Sequence, residues 1–450
     1  MPVHDGPVDL NGRGRRHRQL PSMLKVGCIG FGGGSALIPI MERELVSPDG
    51  GLTEKAFVQD VVIANVTPGA LPVKLAALSG IQLGGAALSA FSALFVALPG
   101  TIATVGLLAL FSALGPVAIR NLEYVSLGIT AFILFLLAHY VATVIVDGGR
   151  RRRVYMLIAG TTFLLTGAEK SRALIAHVAG LENSWVLPEL SALGVVLVAI
   201  GSIGAFSVYQ WFRYRPQFGT ARRRAQGLLR PVLVAIITFA VVTLGGIGTA
   251  LLIDPVGGGA LLGLVSLSSL SSFGGGEAYV GVADGFFVAS GMVDSASFYG
   301  QIVPIANALP GPILVKIATG IAYSIGFGGG GFVLGIIFAT LAFLVSIGAC
   351  CVVALGVLAA YDKAQHSLFV QNVAGFILPV ICGLLASTSV SMLHSNARIS
   401  EQAGLSGWIA VLGSIALAGG VALVHRTAKV PDIVLVLLCG GASFALLITL

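Results

Sequence analysis

The sequence predicts an all-α polytopic membrane protein with about 13 transmembrane spans, arranged as two inverted-topology repeats with broken helices. Its composition, a duplicated glycine-rich motif and the placement of basic residues all predict this. Hydrophobic residues make up 56% of the chain and charged residues 10%, and the mean hydropathy is +0.96. A soluble domain carries roughly 25% charge. The 61 glycines suit close helix packing and interrupted helices in lipid.

The motif occurs twice. Phe31 to Gly34 reads FGGG, followed by Ala64–Asn65, Pro68–Gly69 and Lys74; Phe273 to Gly276 reads FGGG, followed by Ala306–Asn307, Pro310–Gly311 and Lys316. Each pair is 242 positions apart, as are Ala36/Ala278, Val73/Val315 and Ala76/Ala318. A constant offset through Gly triplets, Asn, Pro-Gly and Lys marks an internal duplication.

The spans follow in order. Apolar stretches near the roughly 20 residues needed to cross a bilayer are expected at about 22–41, 57–80, 83–112, 122–146, 154–168 and 186–211. A linking span at 231–253 leads to a second set at 257–280, 298–323, 326–361, 366–393, 404–424 and 431–450. Basic residues cluster at Arg13 to Lys25, Arg150 to Arg153, Arg213 to Arg230 and His425 to Lys429. Such loops stay cytoplasmic, and an even number of spans separates the first three clusters. The single linking span then makes the two halves inverted and puts the C-terminus outside. The expected organisation is a basic cytoplasmic segment (1–21), a first repeat (22–212), a basic loop with the linking span (213–256) and a second repeat (257–450). The expected location is the inner or plasma membrane.

Inverted halves can expose one central site to each side in turn. The candidate binding residues are therefore the duplicated ones: Gly32, Gly33, Gly34, Gly274, Gly275, Gly276, Asn65, Asn307, Pro68, Gly69, Pro310, Gly311, Lys74 and Lys316. Gly and Pro break helices in the span interior. Helices restarting there aim N–H groups and positive dipole ends at a cavity. Pro72 and Pro312 tighten the breaks. A lysine deep in a span costs about 2.5–3.5 kcal/mol and so has a partner or a task; two of them, related by symmetry, make an anion site. The bland readings are that Gly triplets are packing surfaces and that lysines snorkel to the interface. Glu277, Asp284 and Glu42 could pair with the lysines or carry coupling protons. The two asparagines could bond a neighbouring carbonyl or a substrate oxygen. Ser35, Ser271 and Ser272 are weaker candidates.

Other chemistries find no support. Cys28, Cys350, Cys351, Cys382 and Cys439 have no metal or redox spacing and read as apolar packing residues. The histidines show no ligand spacing, and no catalytic or nucleotide-binding motif is present. No metal, cofactor or enzymatic activity is expected. The Arg150–Arg153 and Arg222–Arg224 clusters are orientation signals and anionic-lipid contacts, not a nucleic-acid surface. Lipid is the expected surrounding, and a homo-oligomer is compatible with the sequence.

FGGG early in each half, the mixed-charge stretch Leu52–Phe57, and Pro-Gly(-Pro) leading into an Ala/Gly-rich helix resemble the chromate ion transporter family. The resemblance spans both halves, as in that family's long, two-domain form. Pro310 to Tyr323, PGPILVKIATGIAY, is the closer match, whereas Pro68 to Lys74 reads PGALPVK. It implies export of chromate, which confers resistance, with sulfate as a chemically similar tetrahedral dianion. A sulfate-like or carboxylate transporter and, further off, a passive anion channel are the alternatives.

Overall fold

The computed structural model describes residues 12–30, 37–46, 51–180, 190, 192–214, 229–272, 276–360, 368–402, 404–427, 430 and 432–448. Among these residues every regular element is a helix. The first half contains α1 (Gly12–Ile29), α2 (Ile38–Leu45), α3 (Glu54–Val66), α4 (Leu71–Gly84), α5 (Ala86–Leu114), α6 (Pro116–Asp147), α7 (Arg152–Ala179) and α8 (Ala192–Tyr214). Helix α9 (Leu229–Ile253) leads to α10 (Gly258–Ser271), α11 (Gly276–Ala283), α12 (Ser295–Ser297) and α13 (Val303–Ala308). Then come α14 (Ile313–Ala359), α15 (Leu368–Gln402), α16 (Gly407–Thr427) and α17 (Asp432–Ile448). Among the described residues seven helices, α5, α6, α8, α9, α14, α15 and α16, are long and apolar enough to cross a membrane. Leu157, Phe212, Leu244 and Leu437 are largely exposed on these outer helices and on α7 and α17, as a lipid-facing surface requires. The chain is an all-α, multi-pass membrane protein.

Four of the expected spans do not run straight through. Residues 57–80 form α3 and α4, and the Gln82 amide on α4 donates to Asp60 Oδ1 on α3. On one continuous helix these residues would lie about 33 Å apart, so the segment doubles back at Pro68–Gly69. Its counterpart 298–323 does the same at Pro310–Gly311, placing Gly320 against Ile302. The 22–41 segment is split as well: Lys25 on α1 meets Glu44 on α2 at 2.6 Å. In 257–280 the break follows α10, and the Tyr279 hydroxyl on α11 reaches back to Ser268 Oγ at 3.0 Å. The count of thirteen crossings is accordingly not reproduced.

Helix α14 spans 47 residues, about 70 Å if straight, against a hydrocarbon core of about 30 Å. It folds back instead at Gly330–Gly331, where the backbone leaves helical geometry, and Gly326 packs on Gly335. In the first half α4 and α5 fold back at Gly85, and Ser89 Oγ donates to Ala77 O at 2.8 Å. The apolar core runs through these folded-back arms, with Leu75, Leu78, Val96, Val315, Ile317 and Cys350 fully buried.

The arms pack at backbone distance. A Cβ on Gly100 of α5 would lie 2.1 Å from the carbonyl oxygen of Pro310, whereas one on Gly106 would meet nothing within 4 Å. Gly100→Ala is therefore expected to lower the thermal unfolding midpoint in detergent, with an overpacking cost of about 1–3 kcal/mol. Gly106→Ala on the same helix should be neutral or stabilising by about 0.5–1 kcal/mol. Equal behaviour of the two variants would mean that this close approach does not hold the halves together.

Candidate functional site

The two Pro-Gly tips lie in the protein interior, and each docks on the other half. The Gly69 amide donates to Ser272 O at 2.6 Å, and the Gly311 amide donates to Gly30 O at 2.8 Å. Gly30 and Ser272 are 242 positions apart, as are Gly69 and Gly311. Each tip thus bonds the carbonyl immediately before the other half's Phe-Gly-Gly-Gly. Both tip glycines have positive φ, 104° and 95°, a region costing other residues about 1–2 kcal/mol.

The two lysines obey the same symmetry. Lys74 Nζ donates to Ala64 O at 2.6 Å and to Thr67 O, and Lys316 Nζ donates to Leu309 O. Thr67 and Leu309 are again related by 242. Both side chains are almost fully buried. Each ammonium sits at the carbonyl end of the preceding helix, where the dipole favours a cation. A hydrogen bond to a charged group contributes about 1.5–3 kcal/mol. The two bonds of Lys74 therefore cover the roughly 2.5–3.5 kcal/mol cost of its position. The single described bond of Lys316 about matches it, which leaves that ammonium the more available of the two.

The asparagines are equivalent too. Asn65 Nδ2 donates to Val61 O at 2.8 Å and Asn307 Nδ2 to Val303 O at 2.9 Å, each one turn back on its own helix. Ser271 Oγ donates to Leu267 O. Ser272 Oγ, beside the docked Gly69 amide, is buried and has no hydrogen-bond partner among the described residues. Helices α4 and α14, which carry the lysines, pack against each other and begin at the tips, Pro72 in the first turn of one and Pro312 capping the other.

Among the described residues neither Asp284 nor Glu42 forms an ion pair with these lysines. Asp284 instead holds Lys170 of α7 in an ion pair and accepts from the Tyr299 hydroxyl at 2.6 Å. Glu42 is exposed on α2. Glu277 falls within α11, its side chain outside the described residues, and Gly276 opens that helix. Gly32, Gly33, Gly34, Ser35, Gly274 and Gly275 lie outside the described residues. Sequence reasoning missed Lys170, Tyr299 and Cys350. The apolar stretch at 154–168 was ended at the charged run Glu169–Arg172, whereas α7 continues to Ala179. Cys350 Sγ accepts from the Ala70 amide at 3.4 Å, directly under the first tip.

Two halves that insert broken helices into one another's interior define a duplicated, multi-pass membrane protein of the transporter class. A profile described as chromate transporter matches residues 19–182 and 259–444. The chain belongs to the chromate transporter family. It is also 35% identical over 98 residues to the uncharacterized transporter YwrB of Bacillus subtilis (strain 168), covering 22% of this chain and 50% of that protein. The match thus spans about half the length of that relative. No solved structure matches the chain.

At Gly69 an added Cβ would fall 2.3 Å from Cys350 Sγ, whereas at Gly311 the nearest atom is 3.5 Å away. Gly311→Ala should lose only the backbone preference, about 1–2 kcal/mol, and Gly69→Ala clearly more. Thermal unfolding of the two purified variants orders them. The reverse order would show that the first tip is not packed on Cys350.

Proposed function

We propose that the chain is a secondary active transporter that exports an oxyanion, chromate foremost, by alternating access. The observation that carries this reading is the reciprocal docking of the two tips, each with a buried lysine. It supplies two related cationic junctions, each uniting re-entrant elements from both halves, in a chain belonging to the chromate transporter family. Among the described residues no carboxylate bonds Lys74 or Lys316, and the partners described for the two ammonium groups are carbonyl oxygens. A tetrahedral dianion supplies the missing countercharge. Its oxygens would take ammonium protons not bound to carbonyls and the N–H groups of the restarting helices. The orphaned Ser272 hydroxyl is a further donor at the first junction. On the orientation expected from the basic loops, the N-terminus is cytoplasmic and the C-terminus external.

Uptake of labelled chromate into everted vesicles, with sulfate as competitor, tests the activity. Energised uptake that requires the protein and that sulfate suppresses is expected; none from correctly inserted protein would remove chromate as substrate. Lys316→Ala should reduce uptake at least about tenfold, equivalent to about 1.4 kcal/mol of lost anion interaction, with insertion intact. Normal uptake by that variant would exclude Lys316 from the anion site.

A further inference from the structure

We infer that Asp284, with Lys170 and Tyr299, forms a proton-binding site that couples anion export to inward proton movement. The inference rests on the transport reading above but concerns different residues from the lysine junctions.

The site is built from both halves. Lys170 comes from α7 in the first, and Asp284 and Tyr299 from the second. The Asp284 and Tyr299 side chains are buried, while Lys170 is about one-fifth exposed. Asp284 opens a π-helical segment, Asp284–Val288, and Tyr299 lies in another, Phe298–Ile302. Such segments are rare and frequently lie at functional sites, and here a side-chain hydrogen bond joins the two. Their presence also departs from the duplication. The positions 242 residues earlier are Glu42, which is exposed, and Phe57, which has no hydroxyl. The cluster therefore occurs once and not in duplicate, as a coupling site added to a duplicated anion site would.

Two cavities reach this cluster. One of about 190 Å³ touches Thr166, Lys170, Asp284, Ser387 and Thr388. The other, about 280 Å³, shares Lys170 and Asp284 and adds Glu169, Tyr299, His394 and Arg398. Beyond it, His177 meets Glu401 at 3.1 Å, and its ring lies 5.1 Å from that of His394, tilted by 48°. The charged and titratable groups around Asp284 are therefore Lys170 and Glu169 from α7, Tyr299 from the π segment, and His394 and Arg398 from α15. Helix α8, also packed there, has its only charged group, Arg213, in its last turn. Their lining residues on α7 and α15 lie in the later parts of those helices, away from Arg150–Arg153 and so towards the external side on the charge-based orientation.

The step is a simple transfer. A hydronium ion gives its proton to the Asp284 carboxylate, leaving water and a neutral carboxyl group. Lys170 then loses its countercharge, and the ionic tie between the halves opens. Deprotonation towards the other side restores it. Alternating access requires contacts between the halves that form in one state and break in the other, and this ion pair is such a contact.

The test uses the purified full chain. pH-difference infrared spectroscopy reports protonated carboxyl groups without any oxyanion. A carboxyl band that titrates in the wild type should vanish in Asp284→Asn. It should shift its midpoint in Tyr299→Phe, which keeps the buried ring and so guards against a folding artefact. In proteoliposomes, Asp284→Asn should lose chromate flux driven by a pH gradient while retaining chromate–chromate counterflow. An unchanged band in both variants, or an intact response of Asp284→Asn to the pH gradient, would overturn the inference. A wild type with the titrating band but no chromate flux would overturn the transport reading and leave the proton site standing.

Discussion

Inside a bilayer, a helix that stops must have its free N–H and C=O groups satisfied by the protein. This chain breaks several helices in its interior, and the exchange of backbone hydrogen bonds between halves is how it meets that demand. The Gly69 amide is satisfied by Ser272 and the Gly311 amide by Gly30. The carbonyl ends of α3 and α13 are met by Lys74 and Lys316. Much of the local sequence follows from this. The tip needs glycine for its positive φ, proline removes a donor that would otherwise be orphaned, and Gly100 leaves room for the Pro310 carbonyl. Each half thus closes its own carbonyl end with a lysine, while its tip amide is bonded by the other half.

The symmetry is kept at the tips and the lysines and is lost around Asp284 and Tyr299, in backbone as well as side chains. The offset of 242 relates the tips, the lysines, the asparagines and even their carbonyl partners. It fails at Cys350, whose counterpart is Leu108, and at Asp284 and Tyr299, whose counterparts are Glu42 and Phe57. A scaffold needs both halves alike to exchange contacts, whereas a polar cluster that sets direction or coupling needs to occur once.

The repeat, the helix breaks and the membrane class were legible because they are written in local residue chemistry. Pro68–Gly69 and Pro310–Gly311 each separate two helices, whereas Pro99–Gly100 lies within the continuous helix α5, and the resemblance carried by the duplicated motif agrees with the family match over both halves. What happens after a break was not legible. An apolar run of 57–80 has the same composition whether it continues through the membrane or doubles back, and only the distant contact between Asp60 and Gln82 decides. The two buried lysines were legible as a symmetric pair, but their carbonyl partners were not, since main-chain acceptors leave no mark in a sequence. Lys170 was hidden for the opposite reason. Its run of charges looked like the end of a span, because a buried ion pair with Asp284 can be recognised only once the two halves are packed.

The lysine clamps bear on how a bound anion would act in the proposed cycle. Each ammonium is held by carbonyl oxygens that carry partial charges, whereas a dianion offers full ones. A dianion arriving at the tip would therefore compete for the ammonium against the end of α3 or α13. To the extent that it wins, it loosens the contact that folds the hairpin, and the hairpin tip is the element bonded to the other half. Binding energy would thus be spent at the joint between the repeats, where alternating access needs it. Lys316, with one described carbonyl bond against two for Lys74, has the smaller clamp to release, so the second tip should respond first.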